Sequence, residues 1–335
     1  MNGCDKREGR GGRGTCDDAG VTDFATPQEL ARRTSAAVDA AVGAARDLGL
    51  VVTDAAVLHD MFSVVVHLGP APVVARVPTV LSPAQLESLT SRQQAELEVT
   101  AWLAGQGIPV IAPSAAVPRE PVRRDGFSIT FWQYVEEDRG APPDYAANCD
   151  LVADLHAALR AYPGALPFLS AAEPDFVTES LTVLGEYPGL LDAADLDRAR
   201  REWRVLAPLV RSRQRFEDFF PGIGLQPVHG DSPPANIFPG VNGHLFADFE
   251  LVTLGPVEWD LAGLGPELEA AYDNGARRNG IRSLDAGVLR FVNAVGMLRV
   301  VACLALVPQQ PVLHDYLTPA LAQWRELPFA GGIAG

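Results

Sequence analysis

An α+β fold of two lobes follows from three features of the 335-residue chain. Short β-branched, apolar runs fill Val51 to Val77 and return at Phe127 to Val135. Amphipathic helical patterns dominate the chain after Tyr145. Between the helical blocks lies one hairpin, entered by a loop that gathers His, Asp and Asn. The expected organisation is a tail at 1–22, a strand-rich lobe at 23–135 and a helical lobe at 136–330.

The tail is rich in Gly and poor in apolar residues, so disorder is expected there. Thr26-Pro27-Gln28-Glu29 is a helix start, with a capping residue, Pro in the first turn and Glu three after the cap. That helix should end near Asp47, before Gly49. Strands are expected at Val51–Leu58, Ser63–Leu68 and Val73–Val77, and a second capped helix from Ser82 to about Ala104. A strand is expected at Ser114–Val117, with Phe127–Val135 returning from it. Regularity then fades through FWQYVEEDRGAPPD, which reads as the hinge between lobes. Helices are expected at Asp150–Tyr162, Asp197–Phe216, Glu258–Tyr272, Asp285–Leu306 and His314–Glu326.

The chemistry concentrates between His229 and Asp260. His229-Gly230-Asp231 is followed by Asn236 and then by Asp248, in the same order as the HRD, Asn and metal-binding Asp of a kinase. Asn236 to Phe238 reads as a strand, Val241-Asn242-Gly243 as a turn and His244 to Asp248 as the return strand, so Asn236 and Asp248 are expected side by side. Asp231 is the candidate base. Asn236 and Asp248 offer the hard oxygens that Mg²⁺ prefers. The third strand should carry a cation toward nucleotide phosphates. Lys6, the only lysine, lies in the tail, so that cation is Arg76, with Glu96 or Glu98 on the next helix as its partner. No glycine stands between Val51 and Leu68 to cradle phosphate, and Ser63 is the substitute donor considered. Backbone groups from Gln133 to Val135 would meet the base.

This stretch resembles the aminoglycoside phosphotransferase family, the phosphotransferase enzyme family, which has a protein-kinase-like fold. The residues that carry the resemblance are HGD at 229–231, Asn236, Asp248, Gly255-Pro256 and Asp260-Leu261-Ala262. The resemblance implies an N-terminal antiparallel sheet with a helix above a mostly helical lobe. It implies Asp231 as catalytic base, Asn236 and Asp248 as Mg²⁺ ligands, and Asp260 as a brace for the catalytic loop that His229 opens. It favours Glu96 over Glu98 as the partner of Arg76. The co-substrate is ATP or GTP. The acceptor is a small molecule, either an antibiotic of aminoglycoside or macrolide type or a metabolite such as a sugar, amino alcohol or homoserine. A nucleotide-binding protein without transfer activity is the alternative.

Composition narrows the rest. The net charge of −15 argues against nucleic acid as a partner. From Phe216 to Ala276 there is no Lys or Arg, and the ten acids there point to a cationic acceptor or to soluble acidic faces. Four scattered cysteines give neither a disulfide framework nor a zinc spacing. The N-terminus has no apolar signal core. The apolar run Val288–Val307 contains Arg290, Asn293 and Arg299, which argues for a buried helix over a membrane span. A cytoplasmic location is expected. Asp260 follows Asp248 by only twelve positions, too few for the activation loop of a protein kinase.

Overall fold

Thr26 opens the ordered chain as an N-cap. Its side chain accepts from Glu29 N–H, and Glu29 reaches back to the Thr26 backbone, which completes a capping box. The computed structural model describes residues 24–138, 140 and 142–333, so the tail expected at 1–22 lies outside the described residues. Helix α1 (Pro27–Asp47) buries an alanine stripe, Ala37, Ala40, Ala41, Ala44 and Ala45. The small side chains let it lie close on the face of a five-stranded antiparallel sheet made of Val64, Val66, Leu68, Val73, Ala75, Val77, Ile129 and Phe131. The strands are β1 (Val52–Asp60), β2 (Ser63–Pro70), β3 (Val73–Pro78), β4 (Val122–Arg124) and β5 (Phe127–Gln133), in the order β1-β2-β3-β5-β4. Helix α2 (Pro83–Gly105) follows β3 and repeats the capping box with Ser82 and Gln85.

The strand expected at Ser114–Val117 does not form. Pro113 makes a single bridge to Trp132, and Ser114 N–H bonds Phe131 carbonyl at 3.0 Å before the chain leaves the sheet. Pro118 and Pro121 lack the N–H groups a continuing ladder needs, and β4 resumes the edge only at Val122.

The second lobe is helical, as the periodicity predicted, with shifted boundaries. Helix α3 (Tyr145–Leu159) starts earlier than expected because Asp144 caps it. After α4 (Pro174–Val183), the expected helix Asp197–Phe216 is two: α5 (Ala193–Arg211) and α6 (Arg213–Phe219). Ser212 breaks them in an extended conformation and caps α6 through Arg215 N–H. The expected helix Glu258–Tyr272 is a 3₁₀ turn, Val257–Leu261, and then α7 (Pro266–Arg278), separated by Gly263 and Gly265 at positive φ. Helix α8 (Ala286–Ala302) and the 3₁₀ turn after it are long and apolar enough to cross a membrane. Val288, Phe291, Val292, Val295 and Leu298 of α8 are buried in the lobe's own core with Leu206 of α5 and Trp324 of α9 (Leu313–Glu326). That is the arrangement of a core helix.

The lobes are also tied together at the turn between β1 and β2. Gln310, 5% exposed, donates to Met61 carbonyl at 3.1 Å and accepts from Arg33 at 3.0 Å, while Arg33 also donates to Gln309 carbonyl at 2.8 Å. Phe62 carbonyl accepts from Thr79 and Val80 N–H at 2.9 and 3.1 Å. The turn between β1 and β2 is therefore pinned from both sides, which is a physical reason why it tolerates having no glycine.

Candidate active site

Gly230 sets the path of the loop that carries Asp231. Its φ is 94°, and a Cβ there would stand 1.9 Å from the Leu251 carbonyl oxygen, so only glycine fits. The two flanking N–H groups, of His229 and Gly230, donate to the two oxygens of Asp260 at 2.8 and 2.7 Å. Asp260 is fully buried and also bonds His156 Nε2 at 2.8 Å, with Tyr272 hydroxyl on the other ring nitrogen at 2.8 Å. Trp259 Nε1 donates to Gly230 carbonyl at 2.9 Å. His229 is buried as well. Its Nε2 donates to Ala247 carbonyl at 2.8 Å, and its Nδ1 accepts from Asp231 N–H at 3.3 Å. One buried carboxylate and one buried imidazole thus hold the loop by its backbone, and Asp231 is left at the cleft with 38% of its side chain exposed.

From Asp231 the chain passes through Ser232 at φ 43° and a 3₁₀ turn, Pro233–Ala235, into the hairpin β6 (Ile237–Gly240) and β7 (Gly243–Phe246). Asn236 and Asp248 flank this hairpin. Ala247 N–H bonds Asn236 carbonyl at 2.9 Å, and Asn236 Nδ2 bonds Asp231 carbonyl at 2.5 Å. Asn236 is thus tied to Asp231, and Asp248 follows Ala247 at the far end of the hairpin. Asp248 has φ 63°, a left-handed conformation that non-glycine residues adopt at some energetic cost.

Across the cleft, Arg76 on β3 pairs with Glu96 of α2 in a short ion pair, with Asp248 Oδ1 at 2.5 Å and with Glu250 at 3.7 Å. Glu98 bonds Gln94 instead. One guanidinium thus serves three carboxylates. Burial pushes the Glu96 carboxyl up to about 8, with Arg76 opposing and Asp248 and Glu250 adding to the rise. Burial and Asp248 likewise raise Glu250. Enclosure also raises Asp231, with Arg299, 3.8 Å away, opposing. This surplus of hard oxygens over cations is the chemistry a divalent metal suits. Among the described residues no group of three or more His, Cys, Asp or Glu is arranged to hold a metal ion alone. Mg²⁺ usually takes only one or two protein carboxylates and completes its shell with phosphate and water, so the donors present fit it.

The raised Glu96 sets a pH dependence. A carboxyl raised on folding binds its proton more tightly in the native state, so its contribution is complete below its ordinary value of 4.5 and is lost as pH climbs toward 8. Glu96→Gln should therefore make the urea-unfolding stability of the nucleotide-free protein fall less, or rise more, than the wild type's as pH climbs from about 5 to about 8. An unchanged slope in the variant would place the titration elsewhere.

A cavity of 260 Å³ lies between Arg76, Val65 and Val74 of the sheet and Phe238, Ala247 and Asp248 of the hairpin. Gln133, Tyr134 and Val135 also line it. Gln133 N–H is used by Ala112 carbonyl and Tyr134 N–H by Pro72 carbonyl, at 2.9 and 3.0 Å. Val135 N–H has no partner among the described residues. Ser63 sits opposite Pro78 at the start of β2 and is not among the residues lining this cavity. A larger cavity, 510 Å³, between α2 and the chain around Phe168 has none of Asp231, Asn236 or Asp248 in its wall. Glu173, Glu250 and Arg299 escaped the sequence reading as site residues. Glu250 had a signal, two positions past Asp248; the other two had none.

The sequence profile of the phosphotransferase enzyme family matches residues 65–291. A search of curated protein sequences finds no match. Among solved structures, the GDP and kanamycin complex of APH(2")-IIia is similar at 14% identity and TM-score 0.54, over 84% of this chain and 97% of that one. Choline kinase LicA from Streptococcus pneumoniae is similar at 14% identity and TM-score 0.51, over 83% and 97%. A choline/ethanolamine kinase family protein from Mesorhizobium loti is similar at 18% identity and TM-score 0.51, over 89% and 97%. At such identities the likeness shows the fold: two lobes, an antiparallel sheet with helices above a mostly helical base.

Proposed function

Because the chain belongs to the phosphotransferase enzyme family, we propose that it moves the γ-phosphoryl group of ATP or GTP to a hydroxyl of a small molecule. The observation that carries this reading is the meeting of Asp248 and Glu96 on Arg76, directly across the cleft from the loop that presents Asp231. Asp231 is the base that orients the acceptor hydroxyl and takes its proton. Arg76, fixed by Glu96, faces the nucleotide phosphates. Asn236 and Asp248 would hold Mg²⁺, which when bound offsets the charge on the phosphates. The Val135 N–H meets the nucleobase, with Gln133 beside it, and the lobe boundary falls after Val135. His229 and Asp260 act only through the loop. A cytoplasmic location, where the nucleotide is abundant, goes with this reading.

The acceptor reading is narrower than the acidic stretch suggested. Glu217 pairs with Arg213, Glu258 with Arg282, and Asp260 is consumed by the loop. Of the cleft acids, Asp248 is assigned to Arg76 and Mg²⁺, which leaves Asp231, facing Arg299, and Glu250. That negative surplus supports an acceptor with positive charge, and the kanamycin and choline named for similar structures carry amino and quaternary ammonium groups. Production of ADP and GDP should be followed with Mg²⁺ against aminoglycosides, amino alcohols, macrolides and sugars, for wild type and Asp231→Ala. Turnover stimulated by an amine and lost in the variant is expected. Nucleotide binding equal in both proteins, with no stimulated turnover, would instead favour the nucleotide-binding protein without transfer that the glycine-free β1–β2 turn suggests.

A further inference from the structure

Glu173 stands where both lobes meet. It is 8% exposed, and its backbone is left-handed at φ 45°, a conformation a non-glycine residue holds only when its surroundings impose it. Its Oε1 accepts from Arg92 at 2.7 Å and from Gln85 at 3.0 Å, both on α2. Its Oε2 accepts from Arg299 Nε on α8 at 2.8 Å. Burial works against its charge, but Arg299 and Arg92 together hold the carboxyl below its usual range. A second tie runs alongside, from Ala84 N–H to Glu179 at 3.0 Å. The other end of the Arg299 guanidinium stands 3.8 Å from Asp231.

These contacts form one continuous path. Asp231 faces Arg299, Arg299 is held by Glu173, and Glu173 holds Arg92. One turn along the same face of α2 is Glu96, which fixes Arg76 against Asp248. Both ends of the path are groups to which transfer has been assigned above, and its middle lies outside the reacting centre. A planar guanidinium fastened through Nε has its terminal nitrogens set in direction, so any shift of α2 that moves Glu173 re-aims Arg299.

We propose that Glu173 is a positioning residue, which couples the seating of α2, and with it the Glu96–Arg76 pair, to the placement of Arg299 beside Asp231. The inference rests on the phosphotransferase reading and adds that the two halves of the site assemble together. A lobe whose α2 has swung away loses the phosphate cation and the setting of the base in one step.

Arg92 and Arg299 supply the test, because removing either breaks the same link, and Arg92 touches neither Asp231 nor Asp248. Arg92→Met, Arg299→Met and the double variant should be compared for kcat, for both KM values and for thermal midpoint. Water serves as acceptor where no other is in hand. Each single substitution should lower kcat about tenfold, and the double should be no more than about twofold below the worse single, since coupled sites are non-additive. Arg92→Lys should recover most of the rate by restoring a cation to Glu173. Effects that multiply, or an Arg92→Met protein that loses thermal stability but keeps kcat, would overturn the coupling and leave the phosphotransferase reading intact. A wild type that transfers phosphate neither to water nor to any acceptor overturns that reading, and this inference with it.

Discussion

Replacing Asp231 with Asn is expected to lower phosphoryl transfer by about 10²- to 10⁴-fold, the range of a positioned general base. Nucleotide affinity should stay within about twofold, because most of the binding surface lies elsewhere in the cleft. The loop should survive the change. Its path is set by Gly230, whose φ is 94°, and by backbone bonds from His229 and Gly230 to Asp260. Among the described residues no side-chain hydrogen bond holds the Asp231 carboxylate itself; its charged partner is Arg299 at 3.8 Å. The amide cannot take the acceptor's proton, so the loss should fall on kcat. Single-turnover measurement with a fluorescent nucleotide for binding separates the two steps. A variant that keeps more than about a tenth of the rate would remove Asp231 from the role of base.

The residues that carry local signals were legible in the sequence. Caps at Thr26 and Ser82, the turn at Asn242-Gly243 and the order of Asp231, Asn236 and Asp248 each depend on neighbours a few positions away. The choice of Glu96 over Glu98 needed the resemblance, because helical periodicity alone allows either. What was missed depends on distant contacts. Glu173 gains its meaning from Arg92, 81 positions earlier, and from Arg299, 126 positions later. The break at Ser212 is a local conformation that continuous amphipathicity conceals. Ser63 was considered because a phosphate loop normally needs close donors. The structure instead pins the β1–β2 turn to Gln310 and to Thr79 and Val80.

The second large effect is expected at Asp260, and it should appear in stability. Asp260→Asn replaces one oxygen by a donor in a place where every neighbour already donates: the N–H groups of His229 and Gly230, and Nε2 of His156. Whichever way the amide turns, at least one buried donor faces another. Hydrogen bonds to a buried carboxylate contribute about 1.5–3 kcal/mol each, and the stranded partners add their own desolvation, so a loss of about 3–5 kcal/mol is expected. His156 and Tyr272 would feel the change too, since the imidazole passes its orientation from one to the other. Denaturant unfolding of the two Asp→Asn variants makes the contrast. Asp231→Asn should unfold near the wild-type midpoint and be nearly inactive, whereas Asp260→Asn should unfold early. Any activity Asp260→Asn keeps should track its folded fraction. If Asp260→Asn kept wild-type stability while losing its rate, Asp260 would act on the chemistry and not on the loop. The two aspartates stand twenty-nine residues apart at the ends of one hydrogen-bonded loop. Their opposite burial, none of Asp260 exposed and 38% of Asp231, is why one substitution should be read in folding and the other in turnover.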